Sequence, residues 1–143
     1  MVAHLKPKSE FTMSVLDHIE IPVADGALAK LFYSRTLSAL GLSIVIDIPS
    51  HRNKFGGMRC GYGINGYPCF WIHDQDSPAA CIHIAFKADS TEQVNELYKL
   101  ALINGGSDNG PPGIRHHYHD DYYATYVFDP DGNNIEFVYQ SKI

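Results

Sequence analysis

The chain predicts an α+β fold of two tandem βαβββ modules, with curved mixed sheets wrapped around a cup. Three observations carry this expectation. Short segments with period-two alternation recur along the chain, and each set is interrupted once by a helical segment. Turn signals punctuate them at Gly56-Gly57, Asn65-Gly66, Gly105-Gly106 and Asp129-Pro130-Asp131-Gly132. The order also restarts at a fixed offset of 65: His18, Asp25 and Gly41 recur as His83, Ser90 and Gly106. A strand residue, a helix N-cap and a helix stop that repeat in register point to internal duplication. Each sheet must bury one face beneath its helix, which frees the opposite, more polar face to curl round a cavity.

The elements follow in order. A strand over 14–22 leads to a helix that opens at Asp25 and ends before Gly41. Leu28, Leu31 and Phe32 form its apolar stripe, continued by Ala39 and Leu40, and Gly41 suits a left-handed cap. Strands over 42–48, 55–63 and 67–73 complete module one, the last two joined by an Asn-Gly hairpin turn. A strand over 81–88 starts module two. Ser90 and Gln93 make a capping box, and Val94, Leu97, Tyr98 and Ala101 share one helical face. After a loop over 107–121, strands over 122–128 and 133–140 flank the Asp129–Gly132 turn. Module one thus spans about 13–75 and module two about 79–141. They lie within one domain, 13–143, behind an N-terminal extension, 1–12.

Composition bounds the function. A chain of 143 residues can bury a real core. Its formal charge of −5 leaves no basic stripe for phosphate contacts, so nucleic acid is not the expected partner. No apolar run approaches the roughly 20 residues of a spanning helix, so no membrane partner is expected. The first twelve residues have no hydrophobic signal core, and Cys60, Cys69 and Cys81 are odd in number and unclustered. A reduced, cytoplasmic setting is expected.

His18, His83 and Glu136 each lie in a strand-like segment, opposite the bulky apolar residues beside them. Read locally, they fit solvated strand residues. Duplication makes the two histidines equivalents in the cup, and two imidazoles with a carboxylate can hold a divalent metal. Arg115-His116-His117-Tyr118-His119 is a second cluster. If it is extended, His117 and His119 point the same way and can move protons near neutral pH; otherwise it is a polar loop. In the following strand Tyr123 and Thr125 share one face, Tyr122 and Tyr126 the other, so one set is core and one lines the cavity. Phe70 and Trp71 divide similarly. Glu20 shares the face of His18 and reads equally as an orienting partner or a solvated carboxylate.

The two segments opening at Leu16-Asp17-His18-Ile19 and Ile82-His83-Ile84-Ala85-Phe86, with the ending Asp129-Pro130-Asp131-Gly132-Asn133-Asn134-Ile135-Glu136, resemble the vicinal oxygen chelate superfamily. This is the glyoxalase, bleomycin-resistance and extradiol-dioxygenase group. The stretch Asp108–Gly113 with His117-Tyr118-His119 is similar to a small glyoxalase-like subgroup of unassigned activity. The resemblance covers roughly 13–140. It implies a metal-centred cup with His18, His83 and Glu136 as ligands, the metal being Fe(II), Zn(II), Mn(II), Ni(II) or Co(II). It implies a small-molecule substrate chelating through vicinal oxygens, handled by a lyase, an isomerase or a ring-cleaving dioxygenase. Glu136, His117 and His119 are the candidate proton-transfer groups, and Phe70, Arg115, His117 and Tyr123 the candidate substrate contacts. A fourth, acidic ligand is missing: Phe70 or Trp71 occupies its place, depending on register. The rival is a non-catalytic protein that holds a drug or metabolite. The resemblance also implies a homodimer.

Overall fold

The computed structural model describes residues 15–118 and 120–141. The extension predicted over 1–12, and His119, lie outside the described residues. The element order is β1 (Ile19–Pro22), α1 (Gly26–Leu37), β2 (Ser43–Ile48), β3 (Arg59–Ile64) and β4 (Tyr67–His73), then β5 (His83–Lys87) and α2 (Thr91–Ile103). The short β6 (Ser107–Asp108) and β7 (Gly113–Ile114), β8 (Tyr123–Phe128) and β9 (Asn134–Tyr139) follow.

The duplication is visible in the pairing. One mixed sheet runs β1-β4-β3-β2 and the other β5-β9-β8-β6, with β7 also on β8. In each, the opening strand lies parallel to the closing one, and the register repeats. Ile19 pairs with Phe70 and Glu20 with Trp71, as Ile84 pairs with Ile135 and Ala85 with Glu136.

Local chemistry sets the boundaries. The Asp25 carboxylate accepts from Leu28 N–H at 3.0 Å, and the Ser90 hydroxyl from Gln93 N–H at 3.1 Å, capping the two helices. The first runs on into a 3-10 turn over Ser38–Leu40, which Gly41 closes with φ +80°. The helix face differs from the one expected. Leu28 and Leu31 are exposed, while Ala29, Phe32, Tyr33, Thr36 and Leu37 are buried. Tyr33 is fully buried, and its hydroxyl donates to the Asp129 carboxylate at 2.5 Å. The strand expected over 55–63 begins only at Arg59. Residues 53–57 instead form a turn held by the Asn53 side chain, which donates to the Gly56 and Gly57 carbonyls at 2.9 and 3.1 Å. The loop expected over 107–121 contributes two short strands that pair with β8. At the β3–β4 hairpin Asn65 and Gly66 both take positive φ, 56° and 79°, as a type I′ turn demands.

One apolar core joins the modules. Tyr33, Tyr62 and Phe70 from module one meet Phe86 and Phe137 from module two, with Phe70 and Phe86 edge to face at 5.4 Å. The turn before β9 is a second tie. Asp129 is 4% exposed; its carboxylate accepts from Asp131 N–H, Asn133 N–H, the Asn133 amide and Tyr33. Asp131 in turn accepts from Ala24 N–H at 2.7 Å, across the module boundary. Asp129→Ala strands several buried donors, so it should cost about 3 kcal/mol of unfolding free energy, read as a lowered urea midpoint.

Candidate metal centre

On β5 the apolar Ile84 and Phe86 face the core, which turns His83, Ala85 and Lys87 to the opposite, concave face. The same alternation on β9 turns Glu136 outward with Asn134 and Val138. Because Ala85 is paired with Glu136 and His83 with Asn134, His83 and Glu136 become diagonal neighbours. Their side chains meet: His83 Nε2 lies 3.1 Å from Glu136 Oε1.

The other ring nitrogen fixes what this contact means. His83 Nδ1 lies 2.9 Å from the Asn134 carbonyl, which only accepts, so Nδ1 carries the proton. Nε2 then presents its lone pair to a carboxylate that is only 3% exposed. Two acceptors facing each other at that distance need a cation: a proton on Nε2, or a metal ion that both bind. Ligand atoms each about 2.1 Å from one ion sit about 3 Å apart at a right angle, so the spacing of Nε2 and Oε1 fits a shared metal. A backbone carbonyl on the far nitrogen is the usual orienting partner of a ligating histidine.

Tyrosines surround the pair. Tyr122 Oη donates to Glu136 Oε2 in a very short hydrogen bond. Burial, and then the Glu136 carboxylate, push the Tyr122 hydroxyl well above its ordinary pKa, so it stays protonated. Tyr126 lies beside His83 with ring centroids 6.4 Å apart, and burial followed by the charge of Glu136 pushes it up to about 12. Tyr118 stacks on Tyr122 at 4.7 Å, and His117 on Tyr118 at 4.2 Å. The Arg115 guanidinium stands 5.4 Å from the Tyr126 ring while donating to the Pro111 carbonyl at 2.6 Å. Arg115 and His117 are thus brought to the Glu136 side of β8.

Other expected residues go elsewhere. His18 ends half-exposed with its Nδ1 2.6 Å from Asp17, whose carboxylate also accepts from Tyr67 at 2.5 Å. The Tyr67 hydroxyl, then His18, hold Asp17 below the usual carboxylate range. His18 lines a cavity of about 210 Å³ at the seam of the modules, with Cys69, Ile84, Ala85 and Phe86. Among the described residues no group of three or more histidine, cysteine, aspartate or glutamate side chains could hold a metal ion. Phe70 is 2% exposed; it packs in the core, where it forms the floor of the same seam. Tyr123 points towards α2, donating to the Asn95 side chain at 2.6 Å.

The register answers the question of the missing acid. Trp71 holds the position in module one that Glu136 holds in module two. It is 7% exposed beneath the Arg59 guanidinium, 4.0 Å away. Gly61 lies opposite, where any Cβ would meet the Trp71 ring at 2.9 Å. Glu20 does not orient an imidazole; it forms a two-pronged ion pair with Arg59 at 2.7 and 2.9 Å. Tyr122 and the Asn134 carbonyl join the site beyond the residues that the sequence predicts. The alternation of Tyr122 and Tyr126 against Tyr123 and Thr125 was the available signal for the first, whereas a backbone acceptor leaves no trace in residue type.

Comparisons with known proteins agree with this architecture. Residues 15–137 match the model of the Glyoxalase/Bleomycin resistance protein/Dioxygenase superfamily, and the chain belongs to that family. A glyoxalase/bleomycin resistance protein from Albidiferax ferrireducens T118 is 28% identical, with a TM-score of 0.69 over 89% of this chain and 99% of its own. A lactoylglutathione lyase from Agrobacterium tumefaciens is similar in fold, at 17% identity and a TM-score of 0.62 over 88% of this chain and 93% of its own. So is a mutant fosfomycin resistance protein from Listeria monocytogenes complexed with Mn(II) and 1S,2S-dihydroxypropylphosphonic acid. It is 21% identical, with a TM-score of 0.63 over 89% of this chain and 93% of its own. No curated protein matches the chain. Among the described residues no helix is long and apolar enough to cross a membrane.

Proposed function

We propose that this protein is a metal-dependent enzyme acting on a small molecule that chelates a divalent ion through two vicinal oxygens. The observation that carries the reading is the opposed pair of His83 Nε2 and Glu136 Oε1, with Nδ1 already committed to a backbone carbonyl. His83 and Glu136 supply two donors, and His18 is the third. One chain turns His18 towards Asp17 and the module seam, so the third donor comes from a second copy. In the resulting homodimer, module one of each subunit faces module two of the other. The repeated register, in which Ile19 and Glu20 match Ile84 and Ala85, supports this arrangement: His18 and His83 each stand one residue before a matching pair, and a twofold pairing of modules mirrors the internal repeat.

A bound divalent metal supplies Lewis acidity, and three protein ligands leave positions open for a chelating substrate. The chain's own groups do the rest. Tyr122 holds one oxygen of Glu136, which fixes the carboxylate's orientation towards His83. Tyr118, Tyr122 and Tyr126 give the substrate an aromatic surface beside the pair. Arg115 stands ready for an anionic group, and His117, packed on Tyr118, is the candidate proton carrier on that side, with His119 beside it in sequence. Lyase, isomerase and ring-cleaving chemistry all fall within this description. The names of the lactoylglutathione lyase and the Mn(II)-bound resistance protein support it. A second reading, ligand sequestration without turnover, draws on Trp71, since an indole in place of a fourth acid reduces the coordinating set. Unpaired Cys60, Cys69 and Cys81 support a reducing, cytoplasmic location.

Titration of chelator-stripped protein with Mn(II), Zn(II) and Fe(II) tests the proposal. The expected result is one saturable site per chain for at least one ion. The absence of saturable binding for all three would overturn the metal reading.

A further inference from the structure

We infer that module one carries a binding site of its own for a small organic anion, a carboxylate head on an apolar body, in the cavity between Arg52, Lys54 and His73. The cavity lies on the face of module one that the proposed dimer turns towards the second copy, so the inference rests on that reading of the cup and names an anionic group on its ligand; none of its residues is a proposed metal ligand.

The cavity has a volume of about 480 Å³ and lies on the concave side of β4, over the Glu20–Arg59 pair. That size suits a small-molecule site. Its charge is opposite to that of the chain as a whole. The protein has a formal charge of −5, yet three permanent cations, Arg52, Lys54 and Arg59, line this space against one carboxylate, Glu20. Glu20 is fully engaged by Arg59 through both oxygens. Arg52 and Lys54 have no carboxylate within ion-pairing distance among the described residues. Two unneutralised cations on low-dielectric walls focus a positive potential into the cleft and raise the local concentration of anions. His73 also lines the cavity, and its Nδ1 is buried without a hydrogen-bond partner among the described residues. The fold thus leaves one polar group unsatisfied beside the cavity.

The loop that presents these groups is built in place. Asn53 donates to two carbonyls of its own turn and accepts from Phe55 N–H at 3.1 Å. Gly57, at φ +71°, sits so close to the Gln75 backbone that a Cβ would approach it to 2.7 Å. The turn is therefore seated against the end of β4, with Lys54 and Phe55 held at the rim. Phe55 is 73% exposed, an unusual setting for a phenylalanine fixed in an ordered turn, and it lines the cavity. It supplies an apolar wall beside the cationic groups. Charge-assisted hydrogen bonds from Arg52 and Lys54 would hold the carboxylate, and the ring would cover the body of the ligand.

The test compares phenylacetate with its neutral counterpart phenylacetamide, by calorimetry on the full chain kept in chelator. Working without metal keeps a failure here separate from a failure of the metal proposal. The expected result is saturable phenylacetate binding at least about 10-fold tighter than phenylacetamide, weakened at high salt. The double variant Arg52→Gln, Lys54→Gln should lose at least about 10-fold in phenylacetate affinity, with the urea midpoint unchanged. Phe55→Ser should weaken phenylacetate and phenylacetamide by a similar factor, because the ring covers the body that both share. Equal binding of acid and amide would overturn the inference. So would undiminished binding by the double variant, or no saturable phenylacetate binding up to about 10 mM.

Discussion

His83→Ala lowers divalent-metal affinity at least about 100-fold, because even partners behind the ligands are worth 10–100-fold. The argument turns on the ring's two nitrogens. Nδ1 is spent on the Asn134 carbonyl, so every effect of removing the ring on metal binding passes through Nε2. Glu136→Gln gives the same loss by a different route. It keeps the size of the side chain and an acceptor for Tyr122, but removes the charge that pairs with the metal. Stability should move the other way. In the metal-free protein the Gln amide can donate to His83 Nε2 while its oxygen keeps the Tyr122 bond, so the urea midpoint should stay unchanged or rise. Calorimetric metal titration beside urea unfolding of the same variants checks both halves. Loss of affinity together with loss of stability would mark His83 and Glu136 as a structural pair only.

Phe70→Ala is expected to destabilise the protein by about 3–5 kcal/mol, the range for truncating a buried phenylalanine. The ring lies 4.9 Å from Tyr33, 6.1 Å from Tyr62 and 5.4 Å from Phe86, so it binds both modules into one core. A hole at this point opens where the two sheets meet and cannot be filled by one module's relaxation. Phe70→Leu, which retains most of the volume, should cost about 1.5 kcal/mol or less. Urea unfolding followed by tyrosine and tryptophan fluorescence gives both values. Equal losses for the two substitutions would show that the aromatic contacts, rather than volume, hold the junction.

The fold was legible because duplication left three markers at one spacing. Asp25 and Ser90 cap the two helices, Gly41 is a left-handed stop, and at Gly106 any Cβ would meet the Ala101 carbonyl at 2.8 Å, while His83 opens β5 and His18 stands just before β1. The helix face was misread where Tyr33 and Thr36, polar by type, are buried by tertiary contacts that no local window contains. Half of the site was legible as well. Alternation alone put His83 and Glu136 on the free faces of their strands, and strand pairing made them neighbours. Phe70 and Trp71 could not be told apart beforehand, because a one-residue slip exchanges core for cavity. Only the Glu20–Trp71 register separates them. His18 was drawn into the same site by symmetry. The single chain instead leaves it just before β1, turned towards Asp17, and the proposed shared site takes this donor from a second copy.

The most direct measurement mixes two variants, each lacking one expected ligand. His18→Ala and His83→Ala are unfolded together, refolded, and titrated with the metal that the wild-type protein binds best. In a shared site, random pairing makes half of the dimers mixed, and each mixed dimer holds one intact ligand set, so about a quarter of the wild-type capacity returns. Neither variant alone binds. If the mixture binds no more metal than its components, the ligands are not contributed by two subunits, and the account of this site is contradicted.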